Sequence, residues 1–279
     1  MTKHLLTAFF CLTFGVLFIS NIPFNNVRPS NDFQGKAVYM SKSTLDLGRW
    51  GARMSEEQKK QVKARLKNRL EKTYTLVFNK TESLFTEEEQ LDAMSGATDS
   101  WGKNFAAGDS YKNVKSNTQI QDQEFYGKRF LVKDSLQAIT WKMGSESKNI
   151  GNYTCFKATA SIPTNELTWY SFSWSKLRNN SENGEDKEIA MTEVEAWYTP
   201  QIPVSHGPSE YWGLPGLILE VSAGDTTMLC TKIVLNPEDK LKIEAPDSGK
   251  EITKSAYQET IVEKMKEFRS QRMGARRGR

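Results

Sequence analysis

From Ser110 to Leu235 the chain is a succession of short segments rich in β-branched and aromatic residues, and this pattern leaves few folds open. The segments are KRFLVK, SLQAITWKM, YTCFKATASI, LTWYSFSW, EIAMTEVEAWY, GLILEV and TTMLCTKIVL. Turn residues separate most of them: Asp134, Gly144, Gly151, Pro163-Thr164-Asn165, Asn179 to Asp186 and Gly224-Asp225. Alternation is visible at Phe156, Ala158, Ala160 and Ile162, and at Leu167 and Trp169 against Tyr170, Phe172 and Trp174. Regular short strands with polar turns predict a mainly β fold, a strongly curved antiparallel sheet or a partly open barrel. There is no strand–helix–strand alternation, no Gly-x-Gly-x-x-Gly and no phosphate loop.

Earlier segments add strands and a helix. Gly35 to Leu47 and Thr73 to Phe85 read as strands. Ser55 to Lys72 reads as a helix opened by a Ser55/Gln58 capping box, with Glu56 and Glu57 in its first turn. Val62, Leu66 and Leu70 give it a narrow apolar stripe. Residues 53–72 hold eight basic and three acidic groups. Such a helix suits an anionic lipid surface, or simply solvent with three residues packed on a sheet. Thr86 to Glu89 would cap a short helical turn, and Ser95 to Asp109 reads as an exposed loop. A second amphipathic helix starts at Ser255 with Gln258 completing its box, and shows Ile261, Val262, Met265 and Phe268 on one face. Beyond it, residues 269–279 read as a basic disordered tail able to touch anionic surfaces weakly.

The N-terminus is an address. Lys3 and His4 precede the run LLTAFFCLTFGVLFIS, the layout of a secretory signal over residues 1–20. Lipidation at Cys11 and an uncleaved anchor are the alternatives. Residues 21–34 read as an extended lead-in, and 35–268 as a single β-rich domain. Fourteen Phe, nine Tyr and seven Trp can fill a core, so disorder is excluded although hydrophobic residues make up only 38% of the chain. Once the signal is removed, His206 is the one imidazole, and Cys155 and Cys230 are the two thiols. In an exported chain these read as one disulfide, with two buried free thiols as the alternative. Neither a metal site nor a cofactor is expected from so few ligands. Nucleic acid is not an expected partner, because the basic tail carries no folded motif.

The densest segment is AWYTPQIPVSHGPSEYWGLPGLILEV, Ala196 to Val221. Pro200, Pro203, Pro208 and Pro215 remove backbone donors, so the segment reads as strand, rigid corner, strand. Trp197, Tyr198, Tyr211 and Trp212 flank the bend. They are either recognition aromatics or staples of a curved sheet. With His206 they form the candidate binding set. His206 beside Ser205 and near Glu210 suggests a hydrolytic arrangement, but a triad is recognised by geometry, not by sequence neighbours. No spacing singles out a glycosidase carboxylate pair.

Gly213-Leu214-Pro215-Gly216-Leu217-Ile218 spells GLPGLI, and here the chain resembles the GLPGLI family of exported Bacteroidota proteins. Trp197 to Pro200, Ile202-Pro203 and Gly207-Pro208 match that family's pattern in order and spacing, as does Cys155. The resemblance implies an exported protein, periplasmic, outer-membrane-associated or secreted, of unestablished activity. It implies no catalytic residues, and a setting near outer-membrane proteins of the TonB-dependent type. The reading that follows is a non-enzymatic binding or interaction module whose partner is such a protein, a peptide or a lipid-like molecule. The alternative is a hydrolase or peptide-processing factor with its site at the 196–216 corner.

Overall fold

The computed structural model describes residues 33–45, 47, 51–88, 106–174 and 189–277. The signal segment and most of the lead-in lie outside the described residues, as does most of the 95–109 loop.

Among the described residues twelve strands form one sheet. In chain order they are β1 (Gln34–Ser43), β2 (Glu71–Asn79), β3 (Glu82–Glu87), β4 (Ser110–Asn113), β5 (Thr118–Phe125), β6 (Lys128–Ser135), β7 (Lys142–Ile150), β8 (Tyr153–Pro163), β9 (Met191–Thr199), β10 (Leu217–Ala223), β11 (Thr226–Leu235) and β12 (Lys250–Ile252). Their order across the sheet is β12-β6-β5-β4-β3-β2-β1-β11-β10-β9-β8-β7. Two antiparallel meanders thus run outward from a central seam where β1 pairs with β11. Among the described strands only β12 against β6 is parallel. Among the described residues the sheet has two edges and is not closed, which fits the expected mainly β fold with a curved sheet.

The central strands follow the expected period of two. In β1, Ala37 and Tyr39 are buried along with Leu76 and Phe78 of the adjacent β2. The Tyr39 hydroxyl finds a partner in the Ile218 carbonyl, 2.6 Å away, so its burial leaves no unmet donor. These residues belong to one core cluster with Phe85, Cys155, Trp197, Ile202, Val204, Leu217, Leu219 and Cys230. A second cluster joins Ala158, Ala160 and Ile162 of β8 to Val194, Ala196 and Tyr198 of β9.

Several boundaries differ from the sequence reading. The capping box at Ser55 is present, but the helix α1 (Glu56–Arg65) breaks at Leu66 and is followed by the short α2 (Lys67–Leu70). Glu71 and Lys72 leave the helix because β1 offers them ladder partners, Lys42 and Ser41. The 73–85 segment is two strands, turned by Asn79, whose side-chain oxygen accepts from the amides of Thr81 and Glu82. Thr86 and Glu87 continue β3 and cap no helix. LTWYSFSW is not a strand. Thr164 to Leu167 form a helical turn, α3, and the aromatics after it pack on a helix instead. SLQAITWKM is irregular from Leu136 to Trp141, held by two indole bonds: Trp141 Nε1 to the Trp212 carbonyl and Trp212 Nε1 to the Gln137 carbonyl.

The C-terminal helix α4 (Lys254–Arg277) begins one residue before the expected start. Its cap is Thr253, whose hydroxyl accepts from the Ala256 amide, so Ser255 and Gln258 are not its box. Tyr257, Ile261 and Met265 bury against Phe125, Phe130 and Val132 of β5 and β6 and against Trp169. The backbone stays helical to Arg277, where the disordered tail was expected from residue 269. Gln, Arg, Met and Ala all favour helix, and the single Gly274 costs only about 1 kcal/mol.

The disulfide is also corrected. Cys155 and Cys230 are free, buried thiols. They sit on β8 and β11, with β9 and β10 between them. Both lie in the central core cluster without being joined.

Candidate functional site

Residues 200–216 connect β9 to β10 and fold over the sheet. Proline leaves this stretch few donors, and those present are used locally. Leu217 N bonds the Ile202 carbonyl at 3.0 Å, Ile218 N the His206 carbonyl at 3.1 Å, and Gly213 N the Ser205 carbonyl at 3.1 Å. Ile202 and Val204 enter the central cluster, while Tyr211 and Leu214 enter the second one. Gly216 has a steric reason to be glycine, because a Cβ there would lie 2.2 Å from the Thr199 carbonyl oxygen. Gly213 has a conformational one, with φ at +92°.

The corner is held from below by Lys112 of β4, whose side chain is fully buried. Its ammonium donates to the carbonyls of Gly207 at 2.9 Å, Ser209 at 2.6 Å and Tyr211 at 3.2 Å. Three hydrogens meet three acceptors, so the corner's carbonyls need no ladder. Burial lowers the Lys112 amine to about 8, Glu210 opposing the fall and Lys254 adding to it. At neutral pH it remains an ammonium.

Glu210 extends the network. Its carboxylate, 5% exposed, accepts from Gln119 Nε2 at 2.7 Å and Trp169 Nε1 at 3.3 Å. Lys254, in the first turn of α4, lies 3.6 Å from it and donates to Gln119 Oε1 at 3.0 Å. One buried polar network therefore joins β4, β5, the corner, the 169 turn and α4. A network so satisfied specifies a single arrangement, whereas removing one member strands the rest.

His206 is fully buried. Its Nε2 faces the Asn79 carbonyl at 3.0 Å, and Nδ1 has no hydrogen-bond partner among the described residues. Burial, and then the Lys112 charge, push the imidazole down to about 3, so it is neutral and carries its proton on Nε2. Neither Ser205 nor Glu210 meets it, and the nucleophile–base–acid geometry of hydrolysis does not form around it. Among the described residues no group of three or more His, Cys, Asp or Glu is placed to hold a metal ion.

Next to the corner lies a small cavity of about 40 Å³, lined by Tyr74, Phe85, Glu87, Ala107, Gly108, Ser110, Gln121, Tyr170, Ser209, Glu210 and Met228. Tyr74 and Phe85 stack, their ring centroids 4.8 Å apart. Burial, and then the charge of Glu210, raise the Tyr170 phenol to about 12. Aromatic walls with a few convergent polar groups are the usual make-up of a ligand site.

The five sequence candidates do not converge. Trp197 and Tyr198 are successive strand residues and point to opposite faces. Trp197 lies in the central cluster beneath Lys148, whose ammonium is 4.2 Å from the ring centroid. Tyr198 and Tyr211 lie in the second cluster, His206 is sealed, and Trp212 is tied to Gln137. Pro200, Pro203, Gly207, Pro208, Leu214, Pro215, Leu217 and Ile218 build or border the corner, and none of them lines the cavity. Lys112 escaped the sequence reading, Glu210 entered it only as a neighbour of His206, and Tyr170 only as a residue of an expected strand. The buried alternation of Gln119, Gln121 and Gln123 in β5 is the one local sign that polar residues face inward here.

Two solved structures resemble the chain, "Structure of PNGF-II in C2 space group" and "Structure of PNGF-II in P21 space group". Identity is 15% with a TM-score of 0.47 for the first, and 16% with 0.45 for the second. Each similarity covers 82% of this chain and 33% of the other, so this chain spans about a third of the length of those proteins. No curated protein is significantly similar to it. Residues 141–220, which carry β7 to β9, the corner and the start of β10, match the model of a family described as "Protein of unknown function (Porph_ging)".

Proposed function

We propose that this chain is an exported, envelope-associated binding protein of the GLPGLI type, without a reaction of its own, whose ligand surface is the cavity beside the corner. The charged-then-apolar N-terminus supports export, and the GLPGLI hexapeptide lies inside the stretch that matches the family of unknown function. One observation carries the binding reading. The corner is locked by Lys112 and by its own backbone bonds, and the small cavity beside it is walled by Tyr74, Phe85 and Tyr170, with Glu87 partly exposed at its rim. A rigid support beside an aromatic wall is what a preorganised site needs. The partner is an outer-membrane protein of the TonB-dependent type, or a peptide or lipid-like molecule it presents. No geometry around His206 favours the hydrolase reading.

The test is capture of partners from native outer membranes by the chain lacking residues 1–32. Ala107→Trp fills the cavity without removing a contact of the network, and is expected to abolish capture with the melting temperature unchanged. Trp197→Ala is expected to cost stability and to leave the captured partner the same. Capture unaffected by Ala107→Trp would overturn the cavity as the binding surface.

A further inference from the structure

The C-terminal helix outruns the hairpin that it packs on. Its buried stripe is Tyr257, Ile261 and Met265, continued by the half-buried Phe268, positions three or four apart. Phe268 meets Tyr126, with ring centroids 4.8 Å apart. Tyr126 is the tip of the β5–β6 hairpin, in the turn between Phe125 and Lys128, so those two strands offer the helix nothing further on. The backbone nevertheless stays helical to Arg277, about 13 Å more at about 1.5 Å per residue.

Over this overhang the chemistry changes. The positions that continue the buried stripe are Arg272 and Arg276, and residues 268–279 hold five arginines and no Asp or Glu. The last acidic residue of the helix, Glu267, is taken by Lys264 at 2.7 Å. Arg269 is exposed, and its guanidinium lies 5.3 Å from the Trp174 ring centroid rather than on a carboxylate. Aromatic rings gather where the overhang begins. Tyr126 is 40% exposed, and Phe172, Trp174 and Phe268 are half-buried. Phe172 and Trp174 meet edge to face at 4.8 Å. None of these residues lines the cavity beside the corner.

We propose that this end of the molecule docks on an anionic lipid bilayer, with the arginines of the overhang at the headgroup phosphates and the rings of Tyr126, Phe172, Trp174 and Phe268 at the headgroup boundary. Guanidinium groups pair with phosphate oxygens, and aromatic rings with a polar tip or a cation beside them settle at that depth. Charge alone suits any acidic partner. The half-exposed rings beside it select a lipid surface.

The experiment is sedimentation of the chain lacking residues 1–32 with vesicles of phosphatidylcholine, and of phosphatidylcholine with phosphatidylglycerol in equal parts. The anionic vesicles are expected to bind at least about a hundredfold more tightly, as several arginines near such a surface supply. Arg272→Gln with Arg276→Gln, which keeps good helix formers, is expected to lower that affinity about tenfold or more with the melting temperature unchanged. Tyr126→Asn suits the left-handed backbone there, φ +49°, and is expected to weaken binding about threefold or more by removing one ring. Equal binding to the two kinds of vesicle would overturn the proposal. So would anionic binding indifferent to residues 272 and 276, which would place the contact elsewhere on the chain. Binding that loses nothing in Tyr126→Asn would overturn the lipid-specific patch and leave plain charge attraction.

Discussion

Lys112 shows how much one side chain can decide. An ammonium taken out of water is costly unless every hydrogen is used, and here three carbonyls use all three. Lys112→Met is therefore expected to destabilise the protein by about 3–5 kcal/mol in urea denaturation, because it strands the corner's carbonyls and Glu210 together. His206 makes a second prediction at this scale. Its imidazole is held at about 3 in the folded chain against 6.5 when unfolded. Above pH 6.5 neither state is protonated and the residue adds no pH dependence. As pH falls from 6.5 toward 3, the unfolded state binds a proton that the folded state refuses. Stability then drops by about 1.4 kcal/mol per pH unit from this group. Stability curves of the wild type and of His206→Asn should diverge in slope across that window and run parallel above it. A catalytic imidazole would instead titrate near neutrality.

At the scale of the element, the corner was legible and its purpose was not. Prolines and glycines between residues 200 and 216 announce a bend that cannot pair as an ordinary hairpin. That it folds over β2 and β4 depends on His206 meeting Asn79 and Lys112 meeting residues 207–211, contacts about a hundred residues apart in sequence. Gly216→Ala is expected to cost more than about 3 kcal/mol, because the new methyl meets backbone that has nowhere to move. Pro215→Ala, at an exposed position, is expected to cost about 1 kcal/mol, mostly through the unfolded chain. Paired thermal melts check both, and equal losses would show that the close approach at Thr199 is relaxed. Helix boundaries failed for a related reason. The capping box at Ser55 is local and survives, whereas the end of that helix is set by β1 capturing Glu71 and Lys72.

For the whole molecule, the β1–β11 ladder makes the N-terminal and C-terminal halves one sheet, with registers such as Gly35 opposite Leu235. This long-range pairing also fixes the thiols. Burial pushes Cys155 up to about 11 and Cys230 to about 12, so at pH 8 both are protonated and shielded. The chain lacking residues 1–32 is expected to react with a thiol reagent at two equivalents after unfolding, and far more slowly when native. Fewer than two reactive thiols after unfolding would overturn the assignment of both as free.

The mainly β class, the period-two burial of the central strands, the helix start at Ser55 and the rigid corner are readable along the chain. All of these rest on local chemistry: side-chain alternation, capping oxygens and missing proline donors. Tertiary structure alone decided that LTWYSFSW would pack on α4 rather than pair, since aromatic alternation serves a strand and a helix-facing turn equally well. It decided that the corner's aromatics are core, because burial depends on what folds over them. It also created the cavity, whose residues come from β2, β3, β4, β5, the 170 turn, the corner and β11. No local pattern links segments so far apart. Their meeting follows from strand order, and strand order is set by which hydrophobic faces can be buried together.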